Sequence, residues 1–125
     1  MDSILITKQA ALFNFFNSFG IPAYPKTAIP DDVQMPYITY DVVVDSFGED
    51  VSLSADIWYK TDSEKMPNKK AQEIADKVTM GGISVPCDGG LIWIKRGSPW
   101  CQSVTDTDNT VKRRYLNFDV EYLTI

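Results

Sequence analysis

The stretch that decides the fold is residues 90–125, GLIWIKRGSPWCQSVTDTDNTVKRRYLNFDVEYLTI. It predicts three consecutive β-strands. In the last of them Leu116, Phe118, Val120 and Tyr122 share one face, and Asn117, Asp119 and Glu121 share the other. That alternation is the signature of a strand with one face in a core and one toward water. Just upstream, Asp88-Gly89 predicts a tight hairpin turn that sets Val85 opposite Ile92 and Ile83 opposite Ile94. Asp108-Asn109 predicts the turn of a second hairpin. A two-residue turn there puts Cys101 opposite Leu116 on the core face, and a slip of one residue would turn Cys101 outward.

Further back, residues 37–45 and 51–60 predict an earlier hairpin. Val51, Leu53, Ala55 and Ile57 face one way, while Ser52, Ser54 and Asp56 face the other and share their side with Trp58. Two helices complete the pattern. The first spans 4–19, with Leu5, Leu12, Phe13, Phe16 and Phe19 on one stripe and Phe15 off it. Ser3 or Thr7 supplies its cap and Gly20 its stop. The second begins between Ser63 and Pro67 and runs to Met80, with a narrow stripe of Ala71, Ile74, Ala75 and Val78. It carries a favourable Glu73 to Lys77 pair and is stopped by Gly81-Gly82. Between the first helix and the first strand, Pro22, Pro25, Pro30 and Pro36 predict an extended connector. The expectation is one α+β domain over 1–125, two helices packed on an antiparallel or mixed β-sheet, in the order α-β-β-α-β-β-β-β.

Composition narrows the chemistry. The chain has no histidine, which removes the commonest general base near neutral pH and the commonest metal ligand. Cys87 and Cys101 lack redox or zinc spacing and read as reduced thiols. The start of the sequence does not follow a signal-peptide pattern, and no segment approaches the roughly 20 apolar residues of a membrane span, so no membrane association is expected. Residues 1–62 carry three Lys and nine Asp/Glu, whereas 63–125 carry nine Lys/Arg and eight Asp/Glu. An acidic half beside a near-neutral one suits head-to-tail contact between copies and argues against a nucleic-acid grip.

Candidates for chemistry are few. Asp31-Asp32 and Glu49-Asp50 are the adjacent carboxylate pairs, and both fall in predicted loops where solvated turn residues are the ordinary explanation. The glycine pairs lie after a helix and before a strand, which is the wrong context for a phosphate loop. In Lys112-Arg113-Arg114 the alternation of a strand sends Lys112 and Arg114 one way and Arg113 the other, so the run forms no single-faced patch. Its roles are to protect a strand end or to bridge to an acidic neighbour. No catalytic, cofactor or metal site is expected. The exposed candidates are Phe47, Glu49 and Asp50 in the 46–50 loop, Asp108 and Asn109 at the later hairpin tip, and Trp58 on its strand.

Taken in order, the apolar first helix, the connector ending Pro36-Tyr37-Ile38, the strand closing on Ile57-Trp58-Tyr59, the short amphipathic helix and the closing Arg114–Tyr122 run resemble a known group. They resemble the tail-terminator and head–tail joining proteins of long-tailed bacteriophages and prophages, also labelled tail completion or minor capsid proteins. The resemblance implies a non-enzymatic structural protein of the virion, made in the host cytoplasm. It would form a homohexameric ring on the head-proximal end of the tail tube and join it to the head connector or stopper protein, with DNA only passing through the lumen. Trp58 and the strand edges would serve contacts around the ring, by strand addition among other modes. The two loop tips would serve contacts along its axis. Two alternatives stand beside this one: another neck or tail component, such as a stopper or tube subunit, and a bacterial non-enzymatic module binding a peptide or small ligand.

Overall fold

The computed structural model describes residues 6–42 and 49–124, with the side chain of Glu49 outside the description. Helix α1 (Lys8–Phe16) starts where the Thr7 hydroxyl accepts a hydrogen bond from the Ala10 amide at 3.1 Å. A 3-10 turn (Asn17–Phe19) follows, and Gly20 closes it in the left-handed conformation, φ 84°. Strands β1 (Ala23–Pro25), β2 (Tyr37–Tyr40) and β3 (Glu49–Lys60) come next. They are followed by helix α2 (Lys65–Val78) and strands β4 (Ile83–Cys87), β5 (Gly90–Val104) and β6 (Val111–Thr124).

The six strands form one mixed sheet in the order β1-β2-β3-β6-β5-β4. Among the described residues, only the β1–β2 pair is parallel. The α+β class and the two helices on a mixed sheet agree with expectation, whereas the element order differs in two places. Part of the proline connector is itself strand β1, because residues 23–25 lie beside β2 with Ala23 opposite Ile38. The first two of the three strands expected over 90–125 are one long strand, β5, broken by a register shift between Arg96 and Cys101. Gly97 permits the shift, since a Cβ there would lie 2.9 Å from that of Asn117.

The predicted pairings hold. Ile83 faces Ile94, Val85 faces Ile92 and Cys101 faces Leu116. The first turn keeps Asp88 at negative φ and places Gly89 at φ 83°, which is the sign pattern of a type II turn. The second connection is longer than two residues, because β5 ends at Val104 and β6 begins at Val111. Its tip is a turn in which the Val111 amide donates to the Asp108 carbonyl at 3.0 Å. Of the expected 37–45 strand, pairing ends at Tyr40, and residues 43–45 lie outside the described residues.

Both helices cover one face of the sheet. Phe16 stacks on Tyr40 at 4.5 Å and meets Phe118 edge-on at 5.5 Å. The narrow stripe of α2 (Ala71, Ile74, Ala75, Val78) is buried against the same core. Each fully buried Phe or Leu side chain here contributes about 2 kcal/mol of transfer free energy. The α1 stripe is rotated from expectation, with Phe15 buried at 5% exposure and Phe13 open at 44%. The helix presents Ala11, Leu12, Phe15, Phe16 and, beyond it, Phe19 to the sheet, which is also a 3–4 spacing, so periodicity alone left two solutions. On α2, Glu73 pairs with Lys70 at 3.0 Å, and Lys77 instead reaches the Ser18 hydroxyl and the Phe19 ring. That helix stops at Val78, two residues early, because Thr79 takes the left-handed φ of 65° before the glycines are reached.

Candidate functional surface

Among the described residues, no helix packs on the second face of the sheet. Strand alternation places Tyr24, Tyr37, Thr39, Asp56, Trp58, Arg113 and Tyr115 there, together with Trp93, Asp119 and Glu121 farther along the long strands.

At one end of this face the polar groups form a closed network. Asp56 is buried at 1% exposure and accepts from Arg113 Nε at 2.8 Å, while Lys26 Nζ lies 3.4 Å from its other oxygen. Lys26 also pairs with Asp41 at 3.0 Å, and Asp41 accepts from both the Ser54 hydroxyl and the Ser54 amide. Burial pulls the Lys26 pKa down, but the hydrogen bonds and charges of Asp41 and Asp56 outweigh it and hold the pKa above its ordinary value. Burial likewise pushes Asp41 up, and its bonds from Ser54 and Lys26 win, holding it below the usual carboxylate range. A buried charge needs such partners, since leaving it unpaired costs several kcal/mol, on the order of 3–5.

The aromatic side chains form a second layer of the same network. Trp58 donates its indole N–H to the Thr39 hydroxyl at 3.0 Å, stacks on Tyr37 at 6.2 Å and is covered by the Arg113 guanidinium. Tyr37 in turn meets Tyr24 edge-on at 6.3 Å. Trp58 is therefore half-buried within its own chain, engaged by Thr39, Tyr37 and Arg113.

The basic run divides as its alternation requires. Arg114 is buried on the helix side, donating to Glu64 at the start of α2 and to Asn68 Oδ1 at 3.0 Å. Lys112 caps the Asn109 carbonyl at 2.6 Å, and Arg113 serves Asp56. All three cations are engaged inside the chain. At the hairpin tip Asp108 accepts from the Thr110 hydroxyl and amide and pairs with Lys60 at 2.9 Å. These bonds hold its carboxyl well below the usual range. Asn109 is exposed. Asp50 is exposed and lies directly opposite Glu121, Glu49 pairs through its backbone with Tyr122, and Phe47 lies outside the described residues.

The sheet edges are less open than strand addition requires. Asn17 acts as a surrogate strand for β1, its amide accepting from the Ala23 N–H at 2.9 Å and donating to the Ala23 carbonyl at 3.2 Å. Pro25 offers that edge no further N–H, and Pro86 stands in the opposite edge strand. The feature that sequence reasoning missed is a groove of about 510 Å³ between α1 and β1–β2. It is lined chiefly by Ala10, Leu12, Phe13, Pro25, Tyr40 and Val42. Its signal was the surplus aromatic on α1, read as Phe15 where the structure exposes Phe13.

No protein-family model matches the chain, and comparison with curated proteins yields no match either. Among the described residues no helix is long and apolar enough to cross a membrane, and no cluster of acidic or thiol groups is arranged to hold a metal ion.

Proposed function

We propose that the chain is a non-enzymatic building block that assembles with copies of itself into a ring, capping the head-proximal end of a phage tail tube and joining it to the head connector. The observation that carries this reading is the sheet face left without a helix. Every outward residue of β6 from Arg113 to Leu123 is only half-buried on it, and two long strands extend it to the turn at residues 105–110. A face of this kind, mixing aromatic, apolar and charged groups, has the composition of a protein–protein surface. Six copies of a chain with net charge −5 also suit a lumen past which DNA slides, because counterion release favours only cationic surfaces.

The test is the mass of the purified protein across concentration, by light scattering and negative-stain imaging, alone and with tail-tube protein. Rings of about six copies support the reading. A monomer under all conditions defeats it.

The groove beside α1 favours one other reading, a module that binds an apolar peptide or small ligand. Its volume falls within the range of about 300–1,000 Å³ of small-molecule sites. Saturable quenching of intrinsic fluorescence by an apolar peptide, reduced in Phe13→Ser, would favour it.

A further inference from the structure

The outermost strands β1 and β4 are blunted against a further strand, by Asn17 and Pro25 on one side and by Pro86 on the other. Strand β4 is short, however. It covers β5 only from Gly90 to Ile94, whereas β5 runs on beside β6 as far as Val104. After the register shift regular pairing resumes over 101–104, with Cys101 opposite Leu116 and Val104 opposite Arg113. The outer side of that stretch has no neighbouring strand among the described residues. Gln102 and Ser103 are exposed there, and Cys101 and Val104 are half-buried.

The alternation of the ladder decides which backbone groups point outward. The Asp41 amide donates to the Ser54 carbonyl at 2.9 Å, so Ser54 turns its backbone groups toward β2 and Ala55 turns its own toward β6. Leu116, the partner of Ala55, therefore faces β3, and by the same alternation Tyr115 and Arg113 face β5. Their partners Gln102 and Val104 bond inward. The N–H and C=O groups of Cys101 and Ser103 are left pointing away from the sheet, and they bond to no other element among the described residues.

This short edge complements itself. Turned about a two-fold axis at Gln102, perpendicular to the sheet, it sets Cys101 of one copy opposite Ser103 of the other. Each outward N–H then meets an outward C=O, with none left over. The Gln102 side chains face each other across the axis, amide to amide. Residues 101–104 include no charge and no proline, so no like charges are opposed and no donor is missing.

We propose that residues 101–104 pair antiparallel with the same residues of a second copy of this chain, joining the two sheets edge to edge. An exposed strand edge without a charge or proline is the template on which a further strand adds. A two-fold contact closes at two copies. It is therefore separate from any contact around a ring and goes beyond that reading.

The experiment measures the mass of the full chain by sedimentation from micromolar to millimolar protein, for wild type, Ser103→Pro and Gln102→Lys. Ser103→Pro removes a donor that points away from the sheet, which an edge strand tolerates, and by symmetry it deletes half of the contact's hydrogen bonds. Gln102→Lys sets like charges against each other at the axis, although it makes the chain as a whole less acidic. Each variant is expected to melt as wild type does when dilute and to raise the dissociation constant of the pair about tenfold or more. High salt should restore pairing in Gln102→Lys and not in Ser103→Pro. A wild type that shows no pairs at any concentration overturns the inference. So do variants that both pair as well as wild type, which would place the contact elsewhere. Rings of about six copies that form equally in all three proteins, with no pairs, overturn it and leave the ring reading standing.

Discussion

The Arg113 guanidinium lies 4.8 Å from the centroid of the Trp58 ring, across the β3–β6 pair in which the two residues face each other. One side chain thus screens an aromatic surface and neutralises the buried carboxylate of Asp56. The arrangement makes the open sheet face rigid at this end, because each group is fixed by at least one other.

Asp56→Asn should therefore destabilise the fold by about 2 kcal/mol, less than a fully buried pair because Lys26 and Arg113 retain some water. Urea unfolding monitored by circular dichroism would measure it. A loss below about 0.5 kcal/mol would show that the two cations are content in solvent.

Trp58→Phe keeps a ring for Tyr37 and Arg113 but removes the donor to the buried Thr39 hydroxyl. The expected cost is about 1 kcal/mol. Trp58→Ala should cost more, roughly 2–3 kcal/mol, because it also opens the stack. Any effect of the alanine variant on ring mass has to be read against that loss, with monomer stability measured on the same sample.

The Lys26–Asp41 pair predicts a pH dependence with two limbs. Asp41 has a folded pKa below its ordinary value of 3.8, so its contribution is complete above that value and is lost as pH falls through the folded pKa. Lys26 has a folded pKa above 10.5, so its contribution is complete below that value and is lost as pH rises through the folded one. Asp41→Asn should be less stable than wild type at neutral pH, with the gap narrowing as pH is lowered below about 4. A gap that stays constant down to pH 2 would contradict the assignment.

Thr124 is fully buried at the end of β6, and its hydroxyl has no hydrogen-bond partner among the described residues. An unpaired buried hydroxyl costs roughly 1–3 kcal/mol. Thr124→Val keeps the shape and removes the polar atom, so the melting temperature should rise, corresponding to about 1 kcal/mol. A fall would mean that the hydroxyl has found a partner.

Much of the sheet was legible from local pattern. Leu116 to Tyr122 alternate cleanly, and the turn at Asp88-Gly89 leaves one way to align Ile83 with Ile94, because a slip by one residue would put every apolar side chain in water. The α2 stripe was legible for the same reason. The α1 face was not, since residues 11–19 offer apolar groups in more than one direction and only the position of the sheet selects among them. Strand β1 was hidden because three residues among prolines carry no usable period. Its pairing with β2 and its closure by Asn17 are contacts between separate segments.

The candidate surface divides along the same line. Alternation by itself determined that Arg113 and Arg114 part company, that Trp58 sides with Asp56, and that the sheet of this α+β fold has one half-polar face. Only the tertiary structure decided what those polar groups do. Asp56 is buried because Lys26, thirty residues earlier in the chain, and Arg113, fifty-seven residues later, converge on it. Asp50 is set against Glu121 because β3 and β6 run side by side. A local pattern encodes which way a side chain points, since that depends on backbone geometry one or two residues away. The partner it meets depends on how distant segments are packed, and that is settled by the free energy of the whole core.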